Sequence, residues 1–313
     1  MVIPVIVIVL WGRMLLHLPV SDEQLNMPLW KFLHDILESF PSAVNYLIVV
    51  GLISFQAIYF NHLVNRHEVL YVNSYLPAFF YVLILSCTPH VLLIHPVHFV
   101  NLILLRALDK MFTLFKSDSP VSGIFDSSFL MALAALVYLP AMLYFLLLII
   151  GVSLLRPFSW REIMIMFIGY SLPFFFLLVY LFWSGNLGKF PEMFSGTLHS
   201  PELILKIVPT PALISFASFC AMLLLLSLGK LRSNFYKNVI RTRTYQRIML
   251  IFLVISGGTL LFTKGIQPVY LELLAIPLSV FFAYYFVSAR KRLRLFEFML
   301  WIFAGLILWN QFV

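Results

Sequence analysis

Charged residues are scarce in this sequence. Asp, Glu, Lys and Arg make up 11% of the 313 residues, against about 25% in soluble domains. Hydrophobic residues make up 62%, and the mean hydropathy is +0.99. This composition excludes a soluble enzyme, a nucleic-acid-binding domain and a disordered chain, and it indicates a protein that is surrounded mostly by lipid.

Cysteine is also rare, because the chain contains only Cys87 and Cys220. Both lie in apolar runs, with no CxxC pair and no histidine at ligand spacing, so we expect buried thiols and no disulfide framework or metal site. The sequence lacks a P-loop, a GxSxG elbow and an HExxH pair, which disfavours nucleotide hydrolysis and zinc proteolysis. No residue pattern in the sequence indicates a particular cofactor, so the cofactor is unknown.

Long apolar runs predict an all-α, polytopic transmembrane helix bundle of about eleven spans. A span needs about 20 apolar residues, and fewer where neighbouring helices bury it. The predicted spans are 2–20, 43–61, 72–88, 91–108, 124–138, 140–155, 163–183, 210–229, 248–263, 268–288 and 296–313.

The distribution of positive charge orients this bundle. With the N-terminus inside, most of the 21 Lys and Arg residues fall in inner segments, as the positive-inside rule requires. Treating 124–155 as one helix would place the last basic clusters outside, so the rule favours a hairpin that turns near Pro140. We therefore expect the C-terminus outside.

The whole chain, 1–313, is expected to form one integral membrane domain. Residues 28–40 have apolar side chains at helical spacing and predict an amphipathic helix on the outer surface, with Ser21 or Asp22 as its cap. The segment 184–209 is an outer loop interrupted by glycine and proline. The segment 230–247 is an inner loop with six basic residues and no acid.

The middle of the chain carries a family resemblance, from about residue 55 to 183. Asn101 starts a helix that ends in a Leu-Arg-rich turn, Phe125-Asp126 opens the next helix, and a Tyr-Leu-Pro turn follows. The segment RPFSWRE, residues 156–162, then precedes a span that contains Gly169 and Pro173. This order resembles an uncharacterised multi-pass inner-membrane family of Bacteroidota, a domain of unknown function. The resemblance implies a multi-pass topology and a location in the inner membrane of a Gram-negative bacterium.

The layout is also similar to that of C-type membrane glycosyltransferases. Asp22-Glu23 directly follows the first span, a surface helix comes next, and a tight hairpin and a second outer loop appear later. This likeness implies Asp22 and Glu23 as catalytic residues, one as general base and one as a metal or phosphate anchor. The alternative is a helix N-cap followed by a first-turn acid, which the helix dipole favours.

Two ionisable residues fall within predicted spans. Arg13 lies in the first span and Glu272 in the tenth, and such residues are functional candidates because a charge in hydrocarbon is costly. We expect Arg13 to pair with Glu272, to reach outward, or to contact a lipid phosphate. The pair would either hold two helices together or line a binding site.

Two further groups lie at the predicted membrane surfaces. Arg156 and Arg161, with Trp160, predict an anchor at the inner face that contains a salt bridge to Glu162, or a clamp for a lipid headgroup. Three histidines flank the short outer turn 89–96, where they predict interfacial polar residues or, alternatively, a metal or pH-sensing site. The three histidines are His90, His95 and His98.

Three functions remain from different classes. The first is a subunit or assembly factor of an envelope complex, the second is a lipid-dependent glycosyltransferase-like enzyme, and the third is a transporter. We expect membrane lipids as partners, other envelope proteins as a further class of partner, and no nucleic acid.

The predicted topology is tested by cysteine labelling from the periplasmic side. A cysteine at Asn186 is expected to react with an impermeant maleimide, because it lies in an outer segment, and a cysteine at Asn234 is expected to stay unlabelled. Labelling after the membrane is opened serves as the control for reactivity. The opposite pattern would overturn the orientation and the span count together.

Overall fold

Helices are the only regular elements in the part of the chain that the structure describes. This computed structural model describes residues 27–87, 91–117, 119–157, 159–188, 190–191, 211–262, 268–288 and 293–312. The predicted all-α class is confirmed for these residues.

Eleven α-helices follow one another along the described chain. They are α1 (Pro28–Glu38), α2 (Ser42–Arg66), α3 (Leu76–Leu85), α4 (Pro96–Phe112), α5 (Pro120–Val137), α6 (Tyr144–Leu155), α7 (Trp160–Trp183), α8 (Pro211–Asn234), α9 (Ile240–Thr259), α10 (Ala275–Val287) and α11 (Leu293–Phe312). Short 3-10 segments lie at Leu139–Leu143, Phe235–Lys237, Leu260–Phe262 and Pro268–Leu274.

Six helical stretches of the described chain are long and apolar enough to cross a membrane. They are Ser42–Arg66, Pro120–Val137, Trp160–Trp183, Pro211–Lys237, Ile240–Phe262 and Val269–Val287.

Every predicted span within the described residues contains a helix, but not every helix has transmembrane length. The predicted spans 72–88 and 91–108 correspond to α3, with 10 residues, and α4, with 17 residues. At 1.5 Å per residue, α3 is about 15 Å long, or half the hydrocarbon thickness. The span 2–20 lies outside the described residues.

The ends of four helices meet at one end of the bundle. The guanidinium of Arg66 lies 3.8 Å from the Asp109 carboxylate, which joins the ends of α2 and α4. The Thr242 hydroxyl donates to the Glu68 carbonyl at 2.9 Å, which joins α9 to the end of α2. Ser288, after α10, lines a cleft together with Glu68. We call this the basic end, because Arg66 and Arg106 contact Asp109 there and Lys230 and Lys237 line the cleft.

The segment 124–155 is divided into two helices, as the charge distribution predicts. Helix α5 stops at Val137, and the 3-10 segment that contains Pro140 leads into α6. At the far end of α6, the Arg156 guanidinium donates to the Ser117 carbonyl, just before α5 begins. The two helices therefore run in opposite directions and return the chain to the basic end.

Helix α1 is the predicted amphipathic helix, and it begins later than its expected caps. Pro28 occupies the first turn, where its missing N–H costs nothing, and Met27 is the N-cap residue without a side-chain cap. Trp30 and Leu37 are buried, whereas Phe32 is 64% exposed. The predicted caps Ser21 and Asp22 lie outside the described residues.

Helix ends occupy much of the two predicted loops, 184–209 and 230–247, where the structure describes them. Helix α7 ends in a Schellman motif, in which Gly185 has φ of +69° and the Asn186 N–H donates to the Leu181 carbonyl at 2.9 Å. Most of the basic segment 230–247 belongs to α8 and α9, because only a short 3-10 turn and an extended pair of residues separate them.

Helices α5 and α7 approach closely at Gly169. A Cβ atom at this position would lie 2.2 Å from the Ser128 hydroxyl and 3.0 Å from the Phe125 carbonyl oxygen. Gly51, within α2, has open space around its Cα. Only glycine permits the α5–α7 contact without a shift of backbone.

We predict that Gly169→Ala destabilises the fold by about 1–3 kcal/mol, because the added methyl overpacks the α5–α7 contact. Gly51→Ala is the matched control, and it is expected to leave stability unchanged or to raise it by up to about 1 kcal/mol through its helix propensity. The measurement is unfolding of the detergent-purified chain. Equal stability of the two variants would contradict the close contact.

Candidate functional site: a buried polar cluster within the bundle

The described residues on both sides of the connection from α3 to α4, such as Cys87 and Val91, are buried. Pro96 starts α4, and the His95 Nδ1 atom accepts a hydrogen bond from the Val97 N–H at 3.3 Å, which caps the helix. His95 is 7% exposed and His98 only 1%, so both histidines pack within the protein. Their predicted position at the membrane interface stays a prediction, and His90 lies outside the described residues.

His98 and Glu272 form a buried pair. The Nδ1 atom of His98 lies 3.0 Å from the Glu272 carboxylate, and both side chains are 1% exposed. The His98 Nε2 atom lies 3.1 Å from the Leu93 carbonyl oxygen, and since a carbonyl only accepts, Nε2 must carry hydrogen. The other ring nitrogen, Nδ1, faces the Glu272 carboxylate, so the imidazole bridges the Leu93 carbonyl and this carboxylate.

Polar side chains from three helices fix the two partners. Gln56 on α2 donates to the His98 carbonyl at 2.7 Å, and the Tyr81 hydroxyl on α3 donates to the Gln56 side-chain oxygen at 2.8 Å. Asn101 on α4 donates to the Glu272 carbonyl at 3.4 Å. All of these residues are buried. Such a network holds the pair in one geometry, because each bond is strong in a surrounding of low dielectric constant.

The polar cluster lies deep within the bundle. Gln56 precedes Arg66, at the basic end, by ten residues of continuous helix, which is roughly 15 Å. His98 precedes Asp109 by a similar length of α4. Glu272 also lies beside the first turn of α4, where the helix dipole favours negative charge.

An apolar groove of about 310 Å³ adjoins the cluster, and Glu272 forms part of its wall. The groove lies between α3, α8, α9 and α10. The other lining residues are apolar or thiol side chains: Ile84, Cys87, Leu213, Phe216, Ala217, Cys220, Ala221, Leu224, Leu253, Leu271, Leu274 and Leu278. A single carboxylate on an otherwise apolar wall is the pattern of a site for an amphiphilic ligand.

A second polar cluster joins α2 and α4 at the basic end. The Asp109 carboxylate accepts hydrogen bonds from His67 at 2.7 Å, Tyr59 at 2.9 Å and Arg106 at 3.1 Å. Asp109 follows the predicted span 91–108, and the bond from His67 is the largest cause that lowers the pKa of this carboxyl to about 2. The carboxylate therefore stays ionised near neutral pH and holds the two helix ends together.

The segment predicted as an inner-face anchor, RPFSWRE, contains the predicted salt bridge. Arg156 Nε lies 3.3 Å from the Glu162 carboxylate, which confirms the predicted salt bridge. Trp160 is 65% exposed and Arg161 is exposed beside it. The structure pairs Arg156 within the protein, so Arg161 is the freer of the two guanidiniums for a lipid headgroup.

Helix α1 carries three potential metal ligands. The ligand atoms of His34, Asp35 and Glu38 lie within 4.8 Å of one another, and the two carboxylates are exposed. His34 lies 3.5 Å from the Glu38 carboxylate. An exposed i, i+4 pair of this kind is common on helix surfaces and contributes little by itself.

The structure separates the predicted site residues. Asp22, Glu23 and Arg13 lie outside the described residues, so their predicted roles stay predictions. Glu272 is buried, and within the described chain its carboxylate lies 3.0 Å from His98.

Sequence reasoning assigned His98 to a surface turn and did not single out His67 or Asp109. The signal for Asp109 was its position one helical turn from Arg106, at the end of an apolar run. The signal for His98 was weaker, because its depth depends on where a short helix begins. Spacing along the sequence does not show which polar side chains on different helices will be in contact.

No protein-family model, curated protein or solved structure matches this chain. The resemblances to a Bacteroidota family and to C-type glycosyltransferases therefore stay predictions.

We predict that Glu272→Ala lowers the free energy of unfolding by about 3–5 kcal/mol, because it removes one partner of a buried pair and leaves His98 without its carboxylate. Glu272→Gln keeps a hydrogen-bonding group and is expected to cost less. Asp35→Ala, on the exposed surface of α1, is the control and should stay within about 0.5 kcal/mol of the parent. Equal effects of the Ala variants would show that the pair contributes nothing to stability.

Proposed function

We propose that this chain is a multi-pass inner-membrane protein that holds a lipid-like molecule between its helices, as a subunit of an envelope complex. The main support for the proposal is that Glu272 is the one charged residue among the described residues that line an apolar groove. The groove would take the apolar part of the ligand. The carboxylate would accept a hydrogen bond from a hydroxyl or amine at its polar end.

The position of the groove supports a ligand that arrives from the lipid. Ala217 and Ala221 on α8 form part of its wall and are exposed on the outer side of the bundle. Their small side chains leave an opening between α8 and its neighbours. A ligand that enters there passes only apolar groups before it meets Glu272, which favours an amphiphile over a water-soluble substrate.

The proposal includes eleven spans, with the N-terminus inside and the C-terminus outside. The clustering of basic residues at one end of the bundle supports this orientation, because the positive-inside rule places such an end at the cytoplasm. The hairpin of α5 and α6 supports it as well, since it returns the chain to the basic end before Arg156.

A transporter is the second candidate, and one observation favours it. The His98–Glu272 pair lies where α4 begins and where a 3-10 segment, Pro268–Leu274, leads into α10. Interrupted helices that meet near mid-membrane commonly form the substrate and ion sites of transporters. The glycosyltransferase-like alternative rests on Asp22 and Glu23, which the described residues do not include.

We predict that the purified parent protein retains a lipid-like molecule in the groove and that Ala221→Trp expels it, because the indole fills the groove. Leu225→Trp is the matched control, since Leu225 lies one turn further along α8, is 70% exposed and is not part of the groove. Native mass spectrometry of the three proteins measures the bound mass. Equal retention by both Trp variants would contradict the groove as the binding site.

The same preparation tests the subunit half of the proposal. Mild extraction of the full chain from its own membrane is expected to yield a stoichiometric partner protein that survives in all three preparations. Two results together would favour the transporter instead. The chain would always purify alone, and Glu272→Gln would change the movement of a substrate across the membrane of vesicles that contain the protein.

A further inference from the structure

We propose that the cleft at the basic end binds a phosphate group, carried either by a phospholipid headgroup or by a soluble anion. The cleft has a volume of about 690 Å³. It lies at the basic end, whereas the groove at Glu272 lies deep in the bundle, so the two sites are separate and the inference does not depend on the proposed function.

Three stretches of chain build this cleft: the segment after α2, the connection from α8 to α9, and the end of α10. Two ammonium groups, three side-chain amides and several hydroxyls contribute to its lining. The ammonium and amide groups belong to Lys230, Lys237, Asn73, Asn234 and Asn238, and the hydroxyl of Ser288 donates to the Tyr285 carbonyl. Because the donors come from segments far apart in sequence, only the folded chain presents them together.

The charge of the cleft favours an anion. Lys230 and Lys237 outnumber Glu68, the acid that shares the cleft. The stretch 230–247 adds further basic residues and no acid. Two of these, Arg243 and Arg247, lie over the Phe235 ring at 5.7 and 5.0 Å, so their charge is held close to the turn. Lysine ammonium groups bind phosphate as point charges, and amide N–H groups supply directed hydrogen bonds.

Tyr284 supplies an independent observation. It lines the cleft, is 1% exposed, and its buried hydroxyl makes no hydrogen bond within the described residues. A buried hydroxyl without a partner is costly. A phosphate oxygen in the cleft would provide the missing acceptor. Thr242, by contrast, already donates to the Glu68 carbonyl at 2.9 Å and fixes the loop.

The surroundings place the cleft at the height of lipid headgroups. Tyr75, Tyr236 and Val239 near its rim are 79%, 86% and 71% exposed. Aromatic residues with apolar neighbours are typical of the interface between membrane and water. A headgroup phosphate and a soluble phosphate can both reach this height, and the chemistry that binds them is the same.

The test uses the full chain in detergent with three probes: phosphatidylglycerol, diacylglycerol as the same lipid without phosphate, and inorganic phosphate. Saturable thermal stabilisation and native mass spectrometry measure affinity and stoichiometry. We expect one phosphatidylglycerol per chain and no effect of diacylglycerol. Protection by inorganic phosphate as well would support the site and assign it to soluble anions too. No saturable effect of either phosphate probe would overturn the proposal.

The variant Lys230→Gln/Lys237→Gln is expected to weaken binding about 30-fold, from about 1 kcal/mol for each lysine near the surface. The matched control, Lys116→Gln/Arg232→Gln, removes the same charge from exposed residues that do not line the cleft. Equal weakening in both would show general surface attraction and overturn the site. Retained binding in Lys230→Arg/Lys237→Arg would support it.

A second variant tests the site without a change of charge, so the test does not depend on the folding of the double lysine variant. Tyr284→Phe removes only the buried hydroxyl, and its loss is expected to weaken phosphate binding roughly tenfold, since hydrogen bonds to charged groups are among the stronger ones. The apparent melting temperature without ligand should stay the same or rise. Unchanged affinity in Tyr284→Phe, together with unchanged affinity in a folded Lys230→Gln variant, would overturn the proposal.

Discussion

The buried contact between His98 and Glu272 is the interaction on which the centre of the bundle depends. A lone carboxylate among Leu, Phe and Ala side chains would cost several kcal/mol. The imidazole of His98, 3.0 Å away, offsets this cost. Gln56 and Asn101 hold both partners in place by hydrogen bonds to their backbone carbonyls.

Different interactions hold together the basic end and the rest of the bundle. At the basic end, Asp109 accepts three hydrogen bonds and joins α2 to α4, while exposed Lys and Arg side chains remain available to anions. Elsewhere, helix contacts such as that of Gly169 depend on close approach of apolar surfaces. This division matches the membrane, whose interior permits only satisfied polar groups and whose surface attracts basic ones.

The location of the helices was predictable from the sequence to a large degree. The break near Pro140 follows from the charge rule, and the salt bridge of Arg156 with Glu162 follows from their local spacing. The contact between His98 and Glu272 was not predictable. Hydropathy shows how deep a residue lies within its span but not which helices are neighbours, and many helix arrangements share the same hydropathy profile. The expected pairing of Arg13 with Glu272 stays a prediction, because Arg13 lies outside the described residues.

The sequence by itself determined that this protein is helical, that it is suited to a membrane, and that its positive charge lies in alternate connections. Those properties follow from composition and periodicity, which act over one or two helical turns. The tertiary structure decided that His95 and His98 are buried, that His98 meets Glu272, and that Lys230 and Tyr284 share a cleft. These contacts join residues far apart along the chain, and only the packing of whole helices against one another sets such distances.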